Sequence, residues 1–274
     1  CHKGRGSIGF KETKKPPSEL DFDVWTGPAP KEEYHENLVH YNWHWFWNYG
    51  NGDIGNQGVH QMDIARWMIP GAKWPKSVIS VGGRFGYKDQ GETANTQLAI
   101  FDYGESLLVF DVRGLKTPRN VGNKQFFGKG GKKKEVLELP GVKSPTADRG
   151  GQDNFANFIT AVRSRKTTDL NAHVHEGHIS AALCHLPNVS LRLGEKQPFS
   201  KKNKFFGQNK VAGEYLERMQ DHLKDNGVKL DETEYIVGRH LKFDGKTESF
   251  VGDDEANAML TREYRKPFVV PEKV

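Results

Sequence analysis

The chain lacks the long apolar runs and the cysteines on which two large classes of protein depend. Its 274 residues contain no apolar stretch near the roughly 20 residues that a membrane-spanning helix needs. The two cysteines are Cys1 and Cys184, and the second lies in an apolar helical pattern. We therefore expect no membrane partner, no disulfide framework and no cysteine-based zinc site.

A sustained stripe of one charge sign is also absent. The 40 Lys and Arg residues against 35 Asp and Glu give a formal net charge of +5. The lysines form short clusters separated by acidic residues, as at Lys14-Lys15 and Lys201-Lys202. Because no predicted helix carries a basic stripe with interleaved aromatic residues, the pattern indicates solvated loops and argues against a nucleic-acid partner.

Composition divides the chain into an arm, a body and an insertion. Residues 1–41 include a proline-rich stretch and predict an N-terminal arm, with Trp25 as its anchor into the body. Residues 200–250 are polar and poorly periodic, and they predict a helical insertion that packs on the surface. Neither segment is predicted to form a core of its own, so residues 1–274 are interpreted as a single domain.

Strand and helix patterns alternate through the body. Runs of alternating apolar and β-branched residues predict an antiparallel meander of Val78–Phe85, Thr93–Phe101 and Ser106–Arg113, with a weaker strand at Glu135–Leu139. Helical spacing of apolar residues predicts helices at Asp53–Met68 (with Asp53 as N-cap), Gln152–Arg165, Glu176–Leu193, Gly213–Asn226 and Asp253–Tyr264. Together these elements predict an α/β (α+β) fold.

Two glycine motifs match the dinucleotide-binding pattern G-x-G-x-x-G without its structural context. They lie at Gly4–Gly9 and Gly50–Gly55. The motif binds pyrophosphate where a buried strand precedes it and a helix follows, with an acidic residue about 20 positions on. The first motif runs into lysines and prolines, and a tryptophan-rich run precedes the second. We therefore predict no cofactor-binding residue in this chain.

An aromatic run, a glycine-rich turn and an HxxD helix follow one another in Asn42–Trp67, NWHWFWNYGNGDIGNQGVHQMDIARW. If the aromatic run is a strand, Trp43, Trp45 and Trp47 share one face, with His44 on the other. Tryptophan faces can stack on sugar rings, although buried aromatic residues more often belong to a core. We expect one or two of these side chains to line a site.

With these residues the chain resembles the C-terminal domain of the Gfo/Idh/MocA oxidoreductases. The resemblance covers nearly the whole chain and rests on GNGDIGNQGVHQMDIARW together with GRGSIG, LDFDVWTGPAP, HYNWHWFW, NFANFITAVRSRK, EGHISAALCHLPNVSLRLG and DDEANAMLTREYRKPFVVPEKV. It implies an open, mainly antiparallel β-sheet with helices packed on one face, while the other face makes a homo-oligomer. It looks most like a bacterial branch, in the cytoplasm or exported.

The resemblance also implies a reaction and its cofactor. The family oxidises a hydroxyl of a sugar or polyol with NAD or NADP, and an N-terminal Rossmann domain holds the cofactor and supplies a lysine. Neither that domain nor that lysine is found in these 274 residues, so we expect the chain alone to bind no cofactor and to be catalytically silent.

Three catalytic residues follow from the family motif. His60 takes the place of the histidine that accepts the hydroxyl proton, and Asp63 takes that of the downstream acid. Asn56 stands where the family has an aspartate, and an amide can hydrogen-bond a hydroxyl but cannot accept its proton. On one helix, Asn56 and His60 share a face and Asp63 lies where it can orient the imidazole.

The remaining candidates are substrate contacts. We predict that the substrate-binding residues are Trp43, His44, Gln57, Arg113 and His178. His178 also lies near His173 and His175, but these three lack a carboxylate at a matching position, so we predict no metal site.

Two alternatives to a sugar dehydrogenase stay open. One is an NAD-dependent glycoside hydrolase that oxidises the sugar transiently, a chemistry with which Asn56 is compatible. The other is a carbohydrate-binding or assembly module without catalytic activity.

Overall fold

The computed structural model describes residues 1–69, 74–117, 126–127, 133–134, 154–200 and 210–271. The helices are α1 (Phe22–Thr26), α2 (Asp53–Asn56), α3 (Gly58–Trp67), α4 (Asn154–Ser164), α5 (Val174–Arg192), α6 (Lys210–Asp225) and α7 (Asp254–Ala258), with 3-10 helices at Asn42–Trp45 and Thr167–Asp169. The strands are β1 (Ser77–Gly83), β2 (Thr96–Asp102), β3 (Leu107–Arg113), β4 (Phe126–Phe127), β5 (Lys133–Lys134), β6 (Glu195–Pro198), β7 (Glu234–Val237), β8 (Leu241–Asp244) and β9 (Ser249–Phe250).

One antiparallel sheet organises the chain. Its order is β3-β2-β1-β7-β6, and β8 pairs with the first residues of β1 and with β9. The predicted meander is confirmed, with Val78 opposite Phe101 and Ala99 opposite Phe110. The first residues of the chain run parallel to β3, where the amide of Lys3 donates to the Arg113 carbonyl at 3.0 Å. The sheet is open, as the fold class requires.

Helices α3 and α5 cover one face of this sheet. Because side chains alternate along a strand, Val78, Phe101 and Phe110 point to the same side. There they pack against Met62 of α3 and Leu183 of α5 in the largest buried cluster. The helix predicted at Glu176–Leu193 is confirmed, and α5 continues through Pro187.

Helix α6 covers part of the opposite face. Its Met219 and Leu223 pack against Val81 and Leu98, which alternate with the residues under α3 and α5. This helix falls within the segment predicted as a helical insertion. The sheet is therefore covered on both sides, and the prediction of helices on one face describes only α3 and α5.

Three local predictions are wrong. The aromatic run is not a strand but a 3-10 helix, which buries Trp45 and leaves Trp43 exposed. The helix predicted from Asp53 is interrupted at Gln57, where α2 ends and α3 begins. Its N-cap is Gly52, whose positive φ of 72° suits glycine.

The other boundaries differ less. The last helix, α7, ends at Ala258, well before the predicted Tyr264, because the chain turns there. The strand predicted at Glu135–Leu139 lies outside the described residues.

Candidate functional site

The HxxD helix α3 lies antiparallel to α5, and a polar cluster joins the two. Oδ1 of Asp63 accepts a hydrogen bond of 2.5 Å from the Ser180 hydroxyl. The guanidinium of Arg66, one turn further along α3, donates to Ser180 at 3.2 Å and forms an ion pair with Glu176 at 2.7 Å. Since residue numbers rise along α3 while their partners fall along α5, the two helices run in opposite directions.

His60 lies one turn before Asp63, on the exposed side of α3. No hydrogen bond to its imidazole is found within the described part of the chain, so both ring nitrogens are open to a ligand. Asp63 does not orient this ring, because its described hydrogen bonds go to Ser180 and Arg66. Nor do Asn56 and His60 share one helix, since Gln57 separates α2 from α3.

A second imidazole lies on α5. His185 follows Ser180 by five residues on α5, and its side chain is exposed. Its Nε2 is 3.4 Å from Nδ2 of Asn51, the residue two positions before α2. His185 thus lies beside the Asn51 amide, and His60 is exposed on the neighbouring helix α3.

The buried side-chain amides of Asn188 and Gln97 connect Asn51 to the sheet. Nδ2 of Asn188 donates to the Asn51 carbonyl at 2.8 Å, while its Oδ1 accepts from Gln97 at 3.2 Å. Gln97 in turn donates to the Ser80 hydroxyl at 2.9 Å, in the centre of the sheet. Gly55 matters as well, because a Cβ there would overlap the Asn51 side chain. The sheet therefore fixes the position of Asn51 through Asn188 and Gln97.

The glycines of Gly50–Gly55 pack against the protein's own atoms. A Cβ at Gly50 would overlap the His44 backbone, and one at Gly52 would come within 2.9 Å of Thr93 Oγ1. Their amides already donate, that of Gly50 to the Phe46 carbonyl at 2.8 Å and that of Gly52 to the His44 carbonyl at 2.9 Å. A pyrophosphate needs such amides unpaired, so this turn does not fit a dinucleotide.

Comparison with known proteins then identifies the family. The model of the oxidoreductase family's C-terminal alpha/beta domain, GFO_IDH_MocA_C2, matches residues 5–226. The chain belongs to the Gfo/Idh/MocA oxidoreductase family. No curated protein and no solved structure matches it. The matched residues of this Gfo/Idh/MocA domain include α3, α5 and most of the sheet, so the resemblance read from the motifs is confirmed.

Two predicted substrate contacts lie away from the α3–α5 surface of this Gfo/Idh/MocA domain. Arg113 is buried at the end of β3, where its Nε donates to Asp111 at 2.8 Å. Its side chain points to the sheet face opposite α3 and α5, as strand alternation from Val112 requires. His44 is buried too, with Nδ1 2.8 Å from the Tyr41 carbonyl, and burial lowers its pKa. Neither side chain can reach a ligand at that surface without rearrangement.

The other three predicted contacts are accessible. Gln57 accepts from Lys3 at 3.3 Å and lines a small cavity of about 210 Å³ beside α3. His178 is exposed near the start of α5, where Nε2 lies 2.6 Å from the carboxylate of Glu248. Trp43 lines a separate cleft.

The described residues hold no cluster of three or more His, Cys, Asp or Glu side chains that could bind a metal ion. No helix among them is both long and apolar enough to cross a membrane.

Sequence reasoning missed Asn51 and His185. Their contact joins positions 134 apart in the chain, which no local pattern reveals. One signal was present: His185 lies two helical turns after His178, so both fall on one stripe of α5.

Proposed function

We propose that this chain is the substrate-binding part of an NAD(P)-dependent oxidoreductase that acts on a hydroxyl of a sugar or polyol, with His60 as proton acceptor. The observation that carries the proposal is the exposed imidazole of His60 on a helix whose position is fixed by the Asp63–Ser180 hydrogen bond. Imidazole is the side chain best suited to accept a proton near neutral pH. Membership of an oxidoreductase family supplies the reaction class.

The surface around His60 suits a molecule with several hydroxyl groups. Asn51 and Asn56 offer amides that both donate and accept, and His185 offers a second imidazole. When the carbinol carbon loses a hydride, its hydroxyl proton passes to His60. The chain's own share is therefore to bind the polyol and to take up that proton.

The nicotinamide would accept the hydride. Since the glycine turn at Gly50–Gly55 does not fit a dinucleotide, we propose that a separate unit holds the cofactor. Titration of NADH into the 274-residue chain checks this. We expect no saturable binding in the micromolar range, and micromolar affinity would overturn this part of the proposal.

The reaction is tested on this domain joined to a dinucleotide-binding domain. We expect reduction of NAD or NADP with at least one member of a panel of hexoses and inositols. His60→Gln should lower kcat by about 10²- to 10⁴-fold, whereas His175→Gln, at another exposed helical histidine, should leave it near the original value. If His60→Gln keeps the full rate, His60 is not the proton acceptor.

We also propose that copies of the chain associate through the part of the sheet face that α6 leaves uncovered. Leu107 at the start of β3 lies on that face, and 37 % of it is exposed. Light scattering after size exclusion tests this. A dimer that dissociates when Leu107 becomes lysine supports the proposal, and a monomer at all concentrations contradicts it.

A further inference from the structure

An aromatic cleft lies on the arm side of the molecule, apart from the α3–α5 surface. Its volume is about 350 Å³, within the range of small-molecule sites. The walls are the rings of Trp25, Trp43 and Tyr49, and the rim carries Asn48 and Arg262. Thr26, Pro28 and Ala29 complete the lining.

Trp43 is exposed, although its neighbours in the chain are buried. Its neighbours Trp45 and Phe46 are buried in a cluster with Leu38, whereas 37 % of Trp43 faces solvent. Trp25 and Tyr49, with ring centroids 4.7 Å apart, form the wall behind. An exposed indole face beside a packed aromatic wall suits the C–H face of a sugar ring.

The rim offers unused hydrogen-bonding groups. Nη2 of Arg262 donates to the Asn48 carbonyl at 2.9 Å, and the other guanidinium N–H groups have no partner among the described residues. Nδ2 of Asn48 donates to Glu32 at 3.3 Å, which leaves Oδ1 as an acceptor. The Arg262 guanidinium as donor and Asn48 Oδ1 as acceptor match two neighbouring hydroxyl groups of a ligand.

The local charge favours an uncharged ligand. Arg262 is the one charged residue in the lining, but the Glu32 carboxylate lies directly behind Asn48. Burial and this carboxylate raise the pKa of Tyr49, so the phenol stays neutral. A positive and a negative group thus offset each other around the cleft.

We infer that this cleft binds a neutral sugar ring, independently of the reaction proposed at His60. The site would hold a second ring of a glycoside or a free sugar. The indole of Trp43 stacks on the ring, while Arg262 donates to one hydroxyl and Asn48 accepts from its neighbour.

Titration of cellobiose, glucose and glucuronate into the 274-residue chain, without cofactor, tests the inference. Tryptophan fluorescence and calorimetry should show saturable millimolar binding of cellobiose or glucose. Trp43→Ala should weaken it about tenfold, and Arg262→Gln by a smaller factor. Trp67→Ala is the matched control, because Trp67 is also 37 % exposed but lies outside the cleft.

Three outcomes would overturn the inference: no saturable binding of either neutral sugar, equal binding by the Trp43 and Trp67 variants, or a tenfold preference for glucuronate. Thermal unfolding of each variant establishes that it is folded. Because no cofactor takes part, failure here leaves the proposed oxidation untouched, and failure of oxidation leaves this cleft untouched.

Discussion

The hydroxyl of Ser180 in α5 donates a 2.5 Å hydrogen bond to the carboxylate of Asp63 in α3. The HxxD spacing predicts that Asp63 orients the imidazole of His60. Its contacts instead place it between two helices, where it also lies 3.5 Å from the buried Arg66. The acid of the HxxD motif therefore fixes the helix that carries His60, and it acts on the imidazole only through that helix.

Replacing either partner should loosen the helix pair. Ser180→Ala should lower the free energy of unfolding by about 1–2 kcal/mol, because a hydrogen bond to a charged group is lost. Asp63→Asn should cost more, since Arg66 then keeps Glu176 as its one described acidic partner. Urea denaturation measures both, with Thr160→Ala on exposed α4 as a control that should not destabilise, because alanine favours a helix by up to about 0.7 kcal/mol over threonine. Equal effects of all three variants would contradict the structural role of Asp63.

Gly55→Ala should disturb the edge of the site that Asn51 and His185 form. The new Cβ would overlap the end of the Asn51 side chain, so the amide leaves His185 and one hydrogen bond is lost, at a cost of about 0.5–1.5 kcal/mol. Gly177→Ala in α5 is the matched control. No atom lies within 4 Å of a Cβ there, and alanine should stabilise the helix by up to about 1 kcal/mol. Urea denaturation should therefore show changes of opposite sign.

The parts of the fold that sequence predicted are those fixed by local patterns. The three strands of the meander alternate apolar residues and are joined by short turns, so period and turn chemistry both point to β1, β2 and β3. Helix α5 repeats apolar residues at helical spacing over 19 residues. The position of His60 on a helix followed from the same reasoning.

The rest depends on contacts between distant residues. Trp45 is drawn into a cluster with Leu38, and that packing overrides the alternation that suggested a strand. Asn51 meets His185 only after α2 packs on α5. Arg113 has the expected strand position, and its side chain points away from α3 and α5 because it alternates with Val112.

A buried ion pair joins the arm to α2. Nη2 of Arg5 lies 2.7 Å from Asp53 in α2, whose carboxylate is almost fully buried. Arg5→Met should cost about 3–5 kcal/mol, because an uncompensated carboxylate stays buried. The double variant Arg5→Met with Asp53→Leu should be more stable than Arg5→Met alone. If chemical denaturation shows that adding Asp53→Leu lowers the stability further, the unpaired Asp53 carboxylate is not the cause of the loss in Arg5→Met.

His222 of α6 should make the stability depend on pH. Burial lowers its pKa to about 4, Arg113 and His2 act in the same direction, and Asp111 and Asp225 oppose them. The ordinary value is 6.5. The unfolded chain therefore takes up the proton first as the pH falls. Stability that is present above about pH 6.5 is lost towards pH 4, by up to about 1.4 kcal/mol per pH unit.

His222→Gln should remove this loss, since glutamine does not titrate. Urea denaturation at about pH 7.5 and about pH 5 should give a smaller difference between the two conditions for the variant than for the original chain. Burial also lowers the pKa values of His35 and His44, so both proteins keep a residual dependence of the same sign. If the free energy of unfolding falls equally with pH in the two proteins, His222 does not contribute to the pH dependence, and the prediction is contradicted.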